Sequence, residues 1–316
     1  MLRRASALLA LPLACMGVAG CAGLAAGASG RPQAHSTQHQ ASAADQGTNG
    51  LKTVTIEVGG RTRTYLLYVP PGDTSAHPLP LVLVFHGAGD TAAHTVDETD
   101  LPNIARQDRS MILVFPQGHD NSWNEGTGGT PAAQARVDDV RFVAAILRRV
   151  ERGYAVDRHR VIATGFSNGA LLTEDLGCTL SRQLTMIAPV EGQLPQAISS
   201  RCHPPLPVTV FEVHGTADTT IPYGGGGFTG VGGTPGPTVL SAPESAQRWA
   251  TLDGCPGQAA SRTSDSVTFA TYGGCEDHVT VTLATVHGGQ HQWPSGYGPT
   301  LAGAIASMST NRIAIP

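Results

Sequence analysis

A serine hydroxyl held at the tip of a tight turn can attack a carbonyl carbon, and Ser167 has the surroundings for it. It lies in Val161-Ile-Ala-Thr-Gly-Phe-Ser-Asn-Gly-Ala170, where an apolar β-type run ends in Gly165-Phe-Ser-Asn-Gly169 and a helix-compatible Ala170-Leu-Leu follows. G-x-S-x-G between a strand and a helix is the nucleophile elbow. The glycines matter because the turn leaves no room for side chains beside it, so the serine hydroxyl projects outward. The N–H of the next residue, Asn168, then points to where an oxyanion would form.

A serine is a weak nucleophile at neutral pH and needs a general base plus a group that orients the base. In a strand–elbow–helix protein these follow in the order acid, then histidine. The acids after Ser167 are Glu174, Asp175, Glu191, Glu212, Asp218, Glu244, Asp253, Asp265, Glu276 and Asp277. Among them Asp218 stands in a turn just past a buried apolar run, in Val213-His-Gly-Thr-Ala-Asp218, and is the expected orienting acid. His278 precedes the last strand and should sit at the wrong end of the sheet. Spacing alone does not fully separate His287, which ends that strand, from His291. The glycine-flanked loop Gly288-Gly-Gln-His-Gln-Trp-Pro294 favours His291 as the base. His86-Gly87-Ala88-Gly89 follows another apolar run, and the Ala88 N–H is the expected second oxyanion donor beside Asn168. His86 itself is expected to fix that loop.

The elements that would carry these groups alternate between strand and helix. Thr53 to Val69 alternates around Gly59-Gly60, the mark of a β-hairpin. Leu81–Phe85 and Met111–Phe115 are continuous apolar runs, as in strands buried on both faces of a parallel sheet. Further strands are expected near Leu184–Val190, Val208–His214 and Val279–Val286. Helices are expected over Leu101–Arg109, Arg136–Arg152 and Pro243–Leu252. This order predicts a mostly parallel, doubly wound α/β sheet opened by an antiparallel hairpin. Asp138-Asp139 should complement the positive end of the helix that they begin. Gly224 to Gly236 reads as a glycine-rich surface excursion near the site, without the Lys-Ser/Thr of a phosphate loop.

Several of these segments occur together in a known order. His86-Gly87, Val137-Asp-Asp-Val140, Gly165-Phe-Ser-Asn-Gly169, His214-Gly-Thr-Ala-Asp218 with Ile221-Pro-Tyr223, Trp249 before Gly254-Cys255, and Gly289-Gln-His291-Gln-Trp-Pro294 follow one another. The set resembles the polyhydroxybutyrate depolymerase-like esterases of the α/β-hydrolase superfamily, grouped with the feruloyl and acetylxylan esterases of carbohydrate esterase family 1. Lipoprotein esterases of that group are similar as well. The resemblance spans roughly residues 50 to 300. It implies Ser167 as nucleophile, Asp218 as orienting acid and His291 as base, with no metal and no organic cofactor. The expected function is hydrolysis of carboxylic esters through an acyl-enzyme, on feruloyl or acetyl esters of polysaccharide. A polyhydroxyalkanoate or other polyester is the alternative substrate, and a catalytically silent binding lipoprotein is the alternative outside enzymes. Trp123 and Trp293 are candidate substrate contacts, since an indole at the mouth could stack on a phenolic ring or sugar. The chain departs from the family in having Ala170-Leu-Leu where Gly-Met-Met is common. It also lacks a closing aromatic-rich helix, so the last helix is expected to be poorly anchored.

The chain of 316 residues is 41% apolar with a formal net charge of −4, and its one lysine is Lys52. No basic stripe interleaves with aromatics, so nucleic acid is not an expected partner. Residues 1–20 read as an export signal: Arg3-Arg4, then an apolar stretch from Ala7 to Val18 too short to span a membrane. Val18-Ala-Gly-Cys21 resembles a lipobox, which would make Cys21 the acylated first residue and a lipid anchor the membrane attachment. Removal of the leader would move the net charge to −6. Residues 21–50 are rich in Ala, Gly, Ser and Gln, as in a flexible tether, and 51–316 form the catalytic domain. An extracellular, surface-anchored protein with four further cysteines, Cys178, Cys202, Cys255 and Cys275, should hold disulfides. Three connectivities are open; the nearest-neighbour pairing, Cys178–Cys202 with Cys255–Cys275, is preferred.

Overall fold

The computed structural model describes residues 50–72, 77–230, 233–306 and 308. Cys21, the leader and residues 21–49 of the tether lie outside the described residues. The hairpin of β1 (Lys52–Val58) and β2 (Arg61–Tyr68) turns at Gly59-Gly60 and opens the sheet. β2 lies antiparallel to β4 (Ile112–Pro116). From β4 the sheet is parallel through β3 (Leu79–Phe85), β5 (Val156–Phe166), β6 (Met186–Val190), β7 (Thr209–Gly215) and β12 (Val281–Val286). It ends in a second antiparallel section that the sequence did not lead us to expect. There β11 (Val267–Tyr272) pairs with β12, and β10 (Ala260–Ser264) forms the edge.

Both faces of the central strands are covered, and β3, β4 and β6 are apolar at every position as a result. Leu81, Leu83 and Phe85 face α4 (Asp139–Gly153), α5 (Asn168–Leu180) and α7 (Ala242–Leu252), packing with Phe142, Leu172 and Trp249. Val82 and Val84 face α1 (Ala92–Glu98), α2 (Leu101–Asp108) and α8 (Tyr297–Ala306), packing with Leu101 and Leu301. Each such side chain, fully buried, stabilises the fold by about 1.5–3 kcal/mol. Two short helices, α3 (Pro131–Gln134) and α6 (Gln196–Ser199), lie in connections.

Helix α4 begins as its acids predict, with an added feature. The Asp138 side chain accepts from the Arg141 amide, capping the helix. Asp139 is buried, and it takes a bond from Arg63 at 2.7 Å and from the Asn124 amide at 2.8 Å. A charge in that position must be paired, and Arg63 from β2 supplies the partner.

The last helix corrects an expectation. Rather than being poorly anchored, α8 buries Tyr297, Leu301 and Ile305. The Tyr297 hydroxyl reaches Thr164 on β5 at 2.6 Å and the Ala188 carbonyl on β6 at 3.3 Å. Burial of the Tyr297 ring with its hydroxyl hydrogen-bonded is what anchors the helix.

Disulfides join Cys178 to Cys202 and Cys255 to Cys275, the nearest-neighbour pairing. Loops of this size contribute roughly 3 kcal/mol each in the chain-entropy account. The first ties α5, which begins at the elbow, to the segment after α6.

Two buried acids sit beneath α7. Glu174 on α5 accepts from the Trp249 indole at 2.6 Å, and Glu212 on β7 faces it, with no arginine or lysine paired to either among the described residues. Burial pushes Glu174 up to about 8 and, together with the Glu174 charge, Glu212 well above its ordinary value. The folded state therefore binds more protons than the unfolded chain between about pH 4.5 and 8. These acids give their full stability below pH 4.5 and lose it as pH rises through the folded value. Glu174→Gln keeps an acceptor for Trp249 and removes that loss. Urea unfolding should find the variant more stable at pH 8, by on the order of a few kcal/mol, and the gain should vanish near pH 4.

Candidate active site

The elbow forms at the end of β5, where Ser167 takes φ 54°, ψ −119°, a backbone region costly for any residue but glycine. Both flanking glycines are needed for close approach. A Cβ on Gly169 would lie 2.5 Å from the Phe85 carbonyl oxygen, and one on Gly165 would strike the Gly169 carbonyl. The start of α5 thus rests directly on the end of β3. The Ser167 N–H donates to the Val190 carbonyl at 3.0 Å, tying the turn to β6.

The loop after β3 lies against the elbow: a Cβ on Gly87 would be 3.6 Å from that of Ser167. Its amides divide clearly. Gly89 donates to the Asn121 carbonyl at 2.7 Å and Asp90 to the Gly87 carbonyl at 3.2 Å. The Ala88 N–H has no acceptor among the described residues, and Asn168, as first residue of α5, has no helical acceptor for its own N–H. His86 is buried, and its Nε2 accepts from the Gly118 amide at 2.9 Å. The proton therefore sits on Nδ1 and goes to the Gly87 carbonyl at 2.7 Å. Burial first of all lowers its pKa, so it remains a neutral brace for the loop.

Asp218 and His291 meet although 73 positions separate them. The Asp218 Oδ2 accepts from His291 Nδ1 at 2.7 Å, and its Oδ1 accepts from the Thr220 and Ile221 amides at 2.7 and 2.9 Å. Burial alone would raise the Asp218 pKa. Hydrogen bonds from His214 and His291 outweigh it and hold the carboxyl well below the usual range. The His291 ring also packs against Phe166, the residue before Ser167, with centroids 4.7 Å apart. His287, the other histidine left open by spacing, contacts Thr268 on β11 at 2.8 Å and lies away from the acid.

A cavity of about 220 Å³ opens beside Ser167, lined by Ala88, Asn168, Leu171, Ile221, Phe228 and Pro237 among others. Part of its wall is a hairpin, β8 (Gly226–Thr229) and β9 (Pro235–Val239), in the segment that the sequence suggested was a glycine-rich excursion. The feet of this hairpin come together: a Cβ on Gly225 would be 2.5 Å from the Ser241 nitrogen.

Neither tryptophan lines the cavity. Trp123 is fully buried, its indole N–H bonded to the His86 carbonyl at 2.8 Å and its ring edge-on to Phe85. It has no face to offer a ligand, which corrects its assignment as a substrate contact. Trp293 packs between Phe166 and Tyr297, at 5.6 and 5.1 Å, behind the histidine rather than in the cavity. Sequence reasoning missed Glu125, a buried cavity residue that accepts from the Asn168 side chain at 3.3 Å. It also missed Phe228 and Leu171, because apolar residues in a loop and on a helix give no chemical signal.

Two groups of three potential metal ligands occur among the described residues. Glu191, His214 and Asp218 are one, and they are bonded to protein partners around the Asp218 carboxylate. Asp90, His94 and Glu98 are the other, and they form ion pairs at 2.9 and 3.6 Å along α1.

Sequence comparison matches residues 72–229, half of the chain, to the phospholipase/carboxylesterase family. The chain belongs to that family. This esterase, a carboxylic ester hydrolase of α/β-hydrolase fold, has curated relatives named as feruloyl esterases. It is 27% identical over 263 residues to feruloyl esterase C of Emericella nidulans, covering 81% of this chain and 84% of the relative. It is 28% identical over 236 residues to feruloyl esterase B of Piromyces equi, covering 72% of this chain and 42% of that longer protein. Among solved structures, the acetyl xylan esterase from Aspergillus awamori superposes with a TM-score of 0.58 at 14% identity. That superposition covers 81% of the esterase and 99% of the fungal chain.

Proposed function

We propose that the chain is a serine esterase that works through an acyl-enzyme with Ser167, His291 and Asp218 as its triad. The observation that carries this reading is the 2.7 Å bond from His291 to a buried Asp218, beside an elbow serine. Ser167 Oγ attacks the ester carbonyl while His291 Nε2 takes its proton. The oxyanion is received by the Ala88 and Asn168 amides, each such donor being worth roughly 3 kcal/mol to the transition state. Collapse of the tetrahedral species breaks the C–O bond, and His291 returns the proton to the leaving alcohol. Water then attacks the acyl-enzyme with His291 as base, and the acid departs with Ser167 restored. Asp218 keeps the imidazole in the tautomer that leaves Nε2 free.

The acyl group is an aromatic or acetyl group on polysaccharide, in keeping with the named relatives and with a cavity faced by Leu171, Ile221 and Phe228. The protein acts outside the cytoplasm, exported by residues 1–20 and anchored through Cys21 and the 21–50 tether. Two disulfides suit an oxidising compartment. Among the described residues no helix is long and apolar enough to cross a membrane.

The direct test is ferulic acid release from methyl ferulate, with p-nitrophenyl butyrate alongside and a fluorophosphonate probe to label the nucleophile. Release from methyl ferulate with labelling at Ser167 is the expected result. Hydrolysis of the butyrate alone would move the substrate to acyl-chain or polyester esters. Failure to label Ser167 in folded protein would remove the mechanism.

A further inference from the structure

Behind Asp218 stands a second buried acid that the proposed mechanism leaves unused. Glu191 follows β6, and its backbone lies at φ 50°, in the left-handed region that side-chain-bearing residues avoid. Gly192 after it sits under the nucleophile, since a Cβ there would be 2.8 Å from the Ser167 carbonyl oxygen. The Glu191 side chain is buried, and the ligand atoms of Glu191, His214 and Asp218 all lie within 4.8 Å of one another. Two carboxyl groups thus share one dry site. Among the described residues, the ion pairs of the site involve only His214 and His291, with no arginine or lysine to balance a second charge.

Hydrogen bonding decides which carboxyl carries the charge. Asp218 receives N–H groups from Thr220, Ile221 and His291, and lies 3.3 Å from His214 Nε2. Glu191 receives only the Gly215 amide, shared between its oxygens at 3.1 and 2.9 Å. Like charges this close do not both ionise, and the better-solvated one keeps its charge. His214 is set by its own partners: Nε2 lies 2.9 Å from the Ile221 carbonyl, while Nδ1 has no partner among the described residues. Nε2 therefore carries a proton directed at that carbonyl and cannot accept one. The acceptor left for a Glu191 O–H is the Asp218 carboxylate.

We propose that Glu191 is a positioning residue that stays protonated and donates its hydrogen bond to Asp218, fixing the carboxylate that orients His291. The role rests on the triad reading above. The ionisable groups facing Glu191 are His214 from β7, Asp218 from the turn after it and, beyond Asp218, His291 from the loop after β12. Beside the adjoining Gly192, α5 and its cap present Ala170, Leu171 and the Ser167 backbone, none of them ionisable. Burial above all, with the Asp218 charge adding to it and the Gly215 amide opposing, pushes Glu191 up to about 9. Above that pH the donor becomes a repelling carboxylate, and catalysis should fall.

The experiment is the pH profile of kcat and KM for p-nitrophenyl butyrate in wild type, Glu191→Gln and Glu191→Ala. Glutamine can donate one N–H to Asp218 and accept from Gly215, yet cannot ionise. Wild type should lose kcat/KM above about pH 9, whereas the glutamine variant should stay within about fivefold of wild type at pH 7 and hold its rate through pH 10. Alanine should lower kcat by about 10–100-fold with KM little changed, the cost of a lost bond to a charged group. An alkaline limb unchanged in the glutamine variant would overturn the proposal. So would a glutamine variant as impaired as alanine, because that would require an ionised Glu191. The glutamine comparison stands alone if the alanine variant does not fold. Absence of Ser167-dependent turnover in wild type would instead sink the triad reading itself.

Discussion

Ser167→Ala is expected to lower kcat for p-nitrophenyl butyrate by about 10⁶-fold, with the fold and Tm unchanged. The size follows from what is removed: without the hydroxyl no acyl-enzyme forms, and the remaining oxyanion donors can only assist direct attack by water. Stability should hold because Ser167 is partly exposed and its N–H bond to Val190 uses the backbone, which alanine keeps. The alanine must still adopt φ 54°, but serine already bears that strain. Circular dichroism and a melting curve beside the kinetics separate lost chemistry from lost structure. A residual rate within a hundredfold of wild type would mean that another group attacks the ester.

The second large effect is expected from Asp218→Asn, about 10⁴-fold in kcat. Geometry explains why so small a change costs so much. Oδ1 must remain an oxygen, because the Thr220 and Ile221 amides both donate to it. The new NH₂ therefore replaces Oδ2 and faces His291 Nδ1. That nitrogen must then become an acceptor, which moves the imidazole proton to Nε2, where it blocks acceptance of the Ser167 proton. The loss should appear in kcat with KM nearly constant. Activity that remained within tenfold would show that His291 is oriented by something other than Asp218.

Much of this site was legible because its signals are local. Gly165 and Gly169 flank Ser167 for a steric reason that chain neighbours reveal, and an apolar run followed by a helical one gives the strand and helix around it. The order of acid and histidine pointed to Asp218 and His291, and the preference for His291 over His287 came from its loop. What failed was the direction in which side chains point. Trp123 follows a strand at the correct edge of the sheet, yet its indole turns inward to His86, a fact set by packing and invisible in spacing. The β10–β11 hairpin went unseen because β10 is exposed throughout and only Ala260 in it is apolar, so no alternation marks it. The β8–β9 hairpin was hidden by its glycines, which read as loop. Glu191 stood among the candidate acids, but nothing in the chain says that it folds back against Asp218, 27 residues on.

The hairpin formed by β8 and β9 leaves the fold and returns to it at almost one point, between Gly225 and Ser241. Beyond those feet it is fastened once more, where Val239 bridges Pro195 and is buried with Leu171 and Ile221. The outer part of β8 and β9, which carries cavity-lining Phe228 and Pro237, is therefore where substitution should reshape the cavity wall while leaving Asp218 and α7 in place.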